Sequence, residues 1–222
     1  MPRTAIVFDL DGTLVDTALD LHQSLNFVLG RLGRPSIRLD QVRAMVGDGV
    51  KVLIERGLEA SGGGVAADRF EQAMSDYFAH YDQHIADLSR PFPAVPETLA
   101  ALRQQGHRLA ICTNKPIGFT DKLLRELDLA PLFDAVMGGD SLPVKKPDAR
   151  HLLGTLDAMG ADAADAVMIG DSRNDVAVAR NAGVPVIAVS FGYTTTPPHE
   201  LGADLVIDHY DELPAALARI GQ

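Results

Sequence analysis

The sequence predicts an α/β fold in which a parallel sheet is interrupted, directly after its first strand, by a small all-helical module. Three observations carry this. From residue 92 onward, short β-branched runs alternate with amphipathic stretches, the pattern of strand–helix–strand units covered on both faces. Between residues 16 and 91 no convincing strand occurs, and apolar residues recur at helical spacing. Ahead of both lies one isolated strand-like run, Thr4 to Leu10, closed by a tight glycine turn at Asp11-Gly12.

Each element follows in order. Leu21, Leu25, Val28, Leu29 and Leu32 form one helical stripe, Val50, Leu53, Ile54 and Leu58 a second, and Phe70, Met74, Tyr77, Phe78 and Tyr81 a third. Gly33-Arg34-Pro35, Gly47-Asp48-Gly49 and Gly62-Gly63-Gly64 punctuate them. Arg90-Pro91-Phe92-Pro93 reads as a stiff connector. Helices are expected over Val95 to Gln105, Lys122 to Leu127, Ala149 to Met159, Val176 to Asn181 and Asp211 to Ile220. Strands are expected at Arg108 to Cys112, Ala135 to Met137, Ala166 to Ile169, Pro185 to Val189 and Leu205 to Ile207. The whole reads as a Rossmann-like parallel sheet core, residues 1–15 and 92–222, with residues 16–91 inserted as a helical cap.

Composition narrows the function. Formal net charge is -10, from 20 Lys and Arg against 30 Asp and Glu, so nucleic acid and anionic lipid are poor partners. An anionic small molecule would need local cations. Trp is absent, so the core rests on Ala, Val, Leu and Ile. Cys112 is the single cysteine, which excludes an intramolecular disulfide and fits a reducing cytoplasm. The opening Met1-Pro2-Arg3 and the apolar run after it are too short for a signal peptide or a membrane span. A monomer or homodimer is expected.

In open parallel sheets, function collects at the carboxyl ends of the strands. Four polar clusters fall there: Asp9-Leu10-Asp11-Gly12-Thr13, Thr113-Asn114, Lys145-Lys146-Pro147, and Gly170-Asp171-Ser172-Arg173-Asn174-Asp175. Taken singly, such Asp residues are turn formers and helix caps. Together, Asp9, Asp11, Asp171 and Asp175 bring carboxylates to one end of the sheet, where they need a cation. Hard oxygen ligands of this kind suit Mg2+, which retains waters and favours phosphate. Asp16 is expected to cap the next helix, and Thr13 to brace Asp9.

The four clusters, in this order and spacing, resemble the four motifs of the haloacid dehalogenase-like superfamily over essentially the whole chain. The resemblance implies a phosphatase with Asp9 as nucleophile and Asp11 as general acid, then base. It implies Mg2+ held by Asp9, the main-chain carbonyl of Asp11 and Asp171, with Asp175 supporting through water. Phosphoryl oxygens would be met by Thr113, Asn114, Lys146 and the amides of the Gly12 turn. Many relatives carry Lys-Pro-x-Pro where this chain has Lys146-Pro147-Asp148-Ala149. Lys145 competes with Lys146 for the phosphate-binding role; the position next to Pro147 favours Lys146.

Three further stretches resemble phosphoglycolate-phosphatase-like members: Arg43 to Lys51 in the cap, the long segment 170–175, and Ser190-Phe191-Gly192-Tyr193. They imply 2-phosphoglycolate as the small phosphorylated metabolite. Arg43 or Lys51 would meet its carboxylate, and Gly47 would bring backbone to the ligand. Arg43 and Lys51 read equally well as solvated side chains beside a turn. A phosphomutase, or a phosphatase for a sugar phosphate, nucleotide or pyrophosphate, would use the same acids.

Overall fold

β1 (Ala5–Phe8) organises the molecule. In the computed structural model, which describes residues 4–220, its side chains are fully buried and it pairs in parallel on both sides. Ile6 and Phe8 face one layer of helices while Ala5 and Val7 face the other, as the two-residue period of a strand requires. Residues 1–3 and 221–222, which the domain reading assigns to the core, lie outside the described residues, as does the Met1-Pro2-Arg3 opening.

β2 (Val15–Asp16) leads into α1 (Ala18–Arg31), α2 (Leu39–Arg43), α3 (Val50–Ala60) and α4 (Ala67–Gln83). The chain returns through β3 (Arg90–Pro91), which pairs antiparallel with β2, Val15 opposite Pro91 and Asp16 opposite Arg90. The expected stiff connector therefore begins as one half of a two-stranded ribbon. The expected stripes lie on α1, α3 and α4, whose buried Leu25, Leu29, Ile54, Leu58 and Tyr77 form one apolar cluster. α2 was not expected; at five residues it is too short to show a period.

The remaining elements are α5 (Val95–Gln104), β4 (Arg108–Cys112), α6 (Ile117–Glu126), β5 (Ala135–Met137), α7 (Ala149–Met159), β6 (Ala166–Gly170), α8 (Arg173–Ala182), β7 (Val186–Val189), β8 (Leu205–Ile207) and α9 (Leu213–Ile220). The sheet order is β5-β4-β1-β6-β7-β8, and every pair is parallel. α7 and α8 cover the face of Ala5, Val7, Ala110 and Met168; α5, α6 and α9 cover the face of Phe8, Ile111 and Ile169. Two helices start earlier than their apolar pattern. α6 begins at Ile117 because Asp140 Oδ1 accepts the Ile117 N–H at 2.7 Å, a cap from 23 residues away. α8 begins at Arg173 because Ser172 and Asp175 close a capping box.

Candidate active site

The strand order reverses at β1, with β4 on one side and β6 on the other, so a crevice opens beyond the carboxyl end of β1. Register does the rest. Phe8 is level with Ile111 and with Ile169. The residues that follow these three, Asp9, then Cys112-Thr113 and Gly170-Asp171, emerge side by side. The Lys145-Lys146 loop, between β5 and α7, reaches the same point.

Lys146 is the hub. Its ammonium, 3% exposed as a residue, lies 2.8 Å from Asp9 Oδ1 and 2.6 Å from Asp175 Oδ1. The contact to Asp9 is an ion pair without hydrogen-bond alignment, which leaves that oxygen without a directed donor. Burial works against the Lys146 charge, yet Asp175 and Asp9 outweigh it and hold its pKa above the ordinary lysine value. Burial pushes the Asp9 carboxyl up to about 6 against the pull of Lys146. Burial, then Asp175 and Asp9, push Asp171 up to about 8. Lys145 takes no part in this hub; its ammonium donates to the Asp48 carbonyl at 2.6 Å.

The donor set fits a divalent cation. Asp9, Asp171 and Asp175 each present an oxygen within 4.8 Å of the others. The four site carboxylates Asp9, Asp11, Asp171 and Asp175 are matched by two ammonium groups, Lys146 and Lys115, a deficit that a doubly charged ion fills. Asp175 is already saturated: Oδ1 takes Lys146, while Oδ2 accepts from the N–H groups of Asp171 (3.2 Å) and Ser172 (3.0 Å) and from Ser172 Oγ (2.6 Å). Its position therefore suits support of a cation more than direct ligation. Asp171 is aimed by Thr13 Oγ1, which donates to Oδ1 at 2.9 Å, and by the Tyr193 N–H, which donates to Oδ2 at 2.7 Å. Thr13 thus braces Asp171, not Asp9 as its sequence position suggested.

Asp9 and Asp11 line a narrow, partly open cavity with Thr113, Asn114, Lys115 and, from the helical segment, Leu21, Val46, Gly47, Gly49, Val50 and Leu53. Asp11 Oδ1 accepts from Thr17 Oγ1 at 2.7 Å and from Lys115 Nζ at 3.0 Å. The helical segment is joined to the core here: Gly47 O accepts from Asn114 Nδ2 (2.9 Å) and Asn174 Nδ2 (3.2 Å), and Asp48 Oδ1 accepts from Asn174 Nδ2 (2.7 Å).

Four expected residues read differently in place. The Gly12 N–H donates to Val15 O at 2.9 Å and is not free for phosphate. Gly12 is needed for shape: its φ is +82°, and a Cβ there would lie 2.8 Å from Asp171 Oδ2 and 2.9 Å from the Tyr193 ring. Both N–H groups of the Asn114 amide are spent on Gly47 O and Lys146 O, which leaves the amide with no donor for phosphate and with Oδ1 a buried acceptor. Arg43 pairs with Asp16 at 3.2 Å, beside the ribbon and outside the cavity lining. Lys51 sits on an exposed helix face, 3.9 Å from Glu55. Thr113, 1% exposed, does line the cavity. Asp16 helps cap α1, accepting the Ala18 N–H at 3.3 Å.

Sequence reasoning gives no individual site role to Lys115, Tyr81 or Tyr193. Lys115 directly follows Thr113-Asn114 at a strand end, the one signal that pointed to it. Tyr81 was read as packing, and it is fully buried, but its hydroxyl accepts from Lys115 Nζ at 2.7 Å.

Residues 6–189 match the sequence profile of the haloacid dehalogenase-like hydrolases. A phosphoglycolate phosphatase of Caulobacter vibrioides is 47% identical over 211 residues, spanning 95% of this chain and 89% of the relative. One from Agrobacterium fabrum is 43% identical over 211 residues, spanning 95% and 91%. The crystal structure of a predicted phosphoglycolate phosphatase from Haemophilus somnus superposes with a TM-score of 0.92 at 30% identity, covering 96% of this chain and 97% of that one.

Proposed function

Since the chain belongs to the haloacid dehalogenase-like hydrolases, we propose that it hydrolyses 2-phosphoglycolate to glycolate and phosphate, through a magnesium-dependent aspartyl-phosphate on Asp9. The family and the curated relatives make the chain a phosphatase, a phosphoric monoester hydrolase that acts on a small phosphorylated substrate. The observation that carries the finer reading is the Lys146 ammonium held 2.8 Å from Asp9, a carboxylate that lines the cavity.

The chain's residues supply each step. An Asp9 oxygen attacks phosphorus, the phosphorus–ester oxygen bond breaks, and Asp11 gives its proton to the departing alkoxide. Asp11 then takes a proton from water, whose oxygen attacks the same phosphorus and releases phosphate with the Asp9 carboxylate restored. Lys146 and the Thr113 hydroxyl complement charge on the phosphoryl oxygens. Asp9, Asp171 and the Asp11 carbonyl would hold Mg2+, with Asp175 behind them, and the bound ion neutralises repulsion between the nucleophile and the phosphoryl group. Residues 16–91 act as a cap, with the β2–β3 ribbon as its stem and the Gly47 carbonyl as its point of closure, which excludes water from the reaction. Among the described residues no helix is long and apolar enough to cross a membrane.

Phosphate release is the test. Asp9→Asn should abolish turnover with the fold intact, and Asp11→Asn should slow it by on the order of 100-fold or more. Near-normal activity in Asp9→Asn refutes the covalent route. A tenfold or greater preference, by kcat/KM, for a hexose phosphate or nucleoside monophosphate (about 1.4 kcal/mol) refutes the substrate.

A further inference from the structure

We propose that Lys115 is the specificity-determining residue that receives the substrate's second anionic group, a carboxylate one carbon removed from the ester oxygen. The assignment rests on the phosphoglycolate reading above and moves the anion-binding role away from Arg43 and Lys51.

Lys115 is 4% exposed, and a lysine so deeply buried keeps its charge only among partners. Its ammonium meets Asp11 Oδ1 and Oδ2 at 3.0 and 3.3 Å and the Tyr81 hydroxyl at 2.7 Å. An ammonium carries three donors, and the longest of these three bonds, 3.3 Å to Asp11 Oδ2, is the one that an anion in the cavity Lys115 lines would replace. No other cationic residue lines that cavity among the described residues. Arg43 is held by Asp16 near the ribbon, and Lys51 faces outward beside Glu55.

Charge balance then selects the ligand. Asp9 and Asp11 line the same cavity, and Leu21, Val46, Val50 and Leu53 make much of the rest aliphatic. Against such walls a ligand carboxylate without a counter-charge would face two acids in a medium of low dielectric. Lys115 reverses the sign at one place, a short span from the nucleophile. Lys146 serves the phosphoryl end, ion-paired with Asp9 and Asp175. The two lysines divide a doubly anionic substrate between them: one ammonium for the transferred group, one for the group that leaves with the alcohol. Tyr81 belongs to α4 and Lys115 to the core, so the anion subsite is completed only with the helical segment in place.

The experiment is a ratio. kcat/KM is measured for 2-phosphoglycolate and for phosphoglycolamide, which is nearly isosteric and lacks the carboxylate charge. The wild-type ratio should exceed about tenfold, should fall by about tenfold or more in Lys115→Met, and should be largely kept in Lys115→Arg. Lys51→Ala should leave it unchanged. If both rates fall together in Lys115→Met and the ratio holds, Lys115 only supports Asp11 and the assignment is overturned while the substrate reading stands. If wild type prefers a hexose phosphate, or ignores the carboxylate, both are overturned. Should Lys115→Met fail to fold by its circular dichroism melt, Lys115→Gln is judged by the same ratio.

Discussion

The Tyr193 hydroxyl donates to Asp16 Oδ1 at 2.6 Å. Its oxygen also accepts the N–H groups of Thr17 (2.7 Å) and Ala18 (2.9 Å), at the start of α1. The Tyr193 N–H reaches Asp171. One residue thus ties the first turn of the helical segment to a core carboxylate. Tyr193→Phe removes the acceptor of the Thr17 N–H and the nearer of two acceptors of the Ala18 N–H, and should cost about 1–3 kcal/mol. Amide exchange at Thr17 and Ala18 should accelerate, and kcat/KM should fall although the Asp171 contact, made by main chain, survives. Unchanged exchange at those two amides would refute the tie.

Lys146→Met should be the most destabilising single change at the site. It strips the counter-ion from two buried carboxylates, and breaking a buried pair from one side costs about 3–5 kcal/mol. Thermal unfolding in chelator should show the loss. Mg2+ should return part of it, because the cation shares the same carboxylates. A melting temperature within a degree of wild type would mean that Asp9 and Asp175 do not depend on Lys146.

The pH dependence of the metal-free protein has a definite sign. Asp171 is lifted by burial, then by Asp175 and Asp9, from 3.8 to about 8, and Asp9 by burial from 3.8 to about 6. A carboxyl raised in the folded state binds a proton that the unfolded chain has released. Its contribution is complete below the unfolded value and is lost as pH rises through the folded one. In chelator, stability relative to Asp171→Asn should therefore decline between pH 4 and 8. Divalent cation binding should release protons and tighten with pH over the same window. Calorimetry in two buffers of different ionisation enthalpy measures the protons. Binding with no proton release at pH 6 would remove the raised carboxyl from the site.

The motifs at the carboxyl ends of β1, β4 and β6 were legible because strand periodicity placed them and the strand order brought them together. Asp9, Thr113, Lys146, Asp171 and Asp175 meet as the sequence implied. What was not legible depended on distant partners. No local pattern shows that Asp140 starts α6, that Thr13 turns to Asp171, or that Tyr193 reaches Asp16. Charge does not give position: the partner of Arg43, Asp16, is 27 residues away and invisible in sequence, while Glu55 stands one helical turn from Lys51 and only the fold shows that the pair faces outward. Lys115 was overlooked because a lysine after a strand is ordinarily solvated, and only the fold shows it enclosed by Asp11 and Tyr81.

Asp175 has a double occupation with a consequence for local motion. One oxygen secures the first turn of α8 through Ser172, and the other secures Lys146. The start of α8 cannot fray without loosening the lysine, and the lysine cannot swing out without weakening the helix start. The two behave as a single cooperative unit. A substitution at Ser172 chosen to adjust helix stability would for that reason reach Asp9, three contacts away through Asp175 and Lys146, and the segment has no freedom to drift in one property while holding the other.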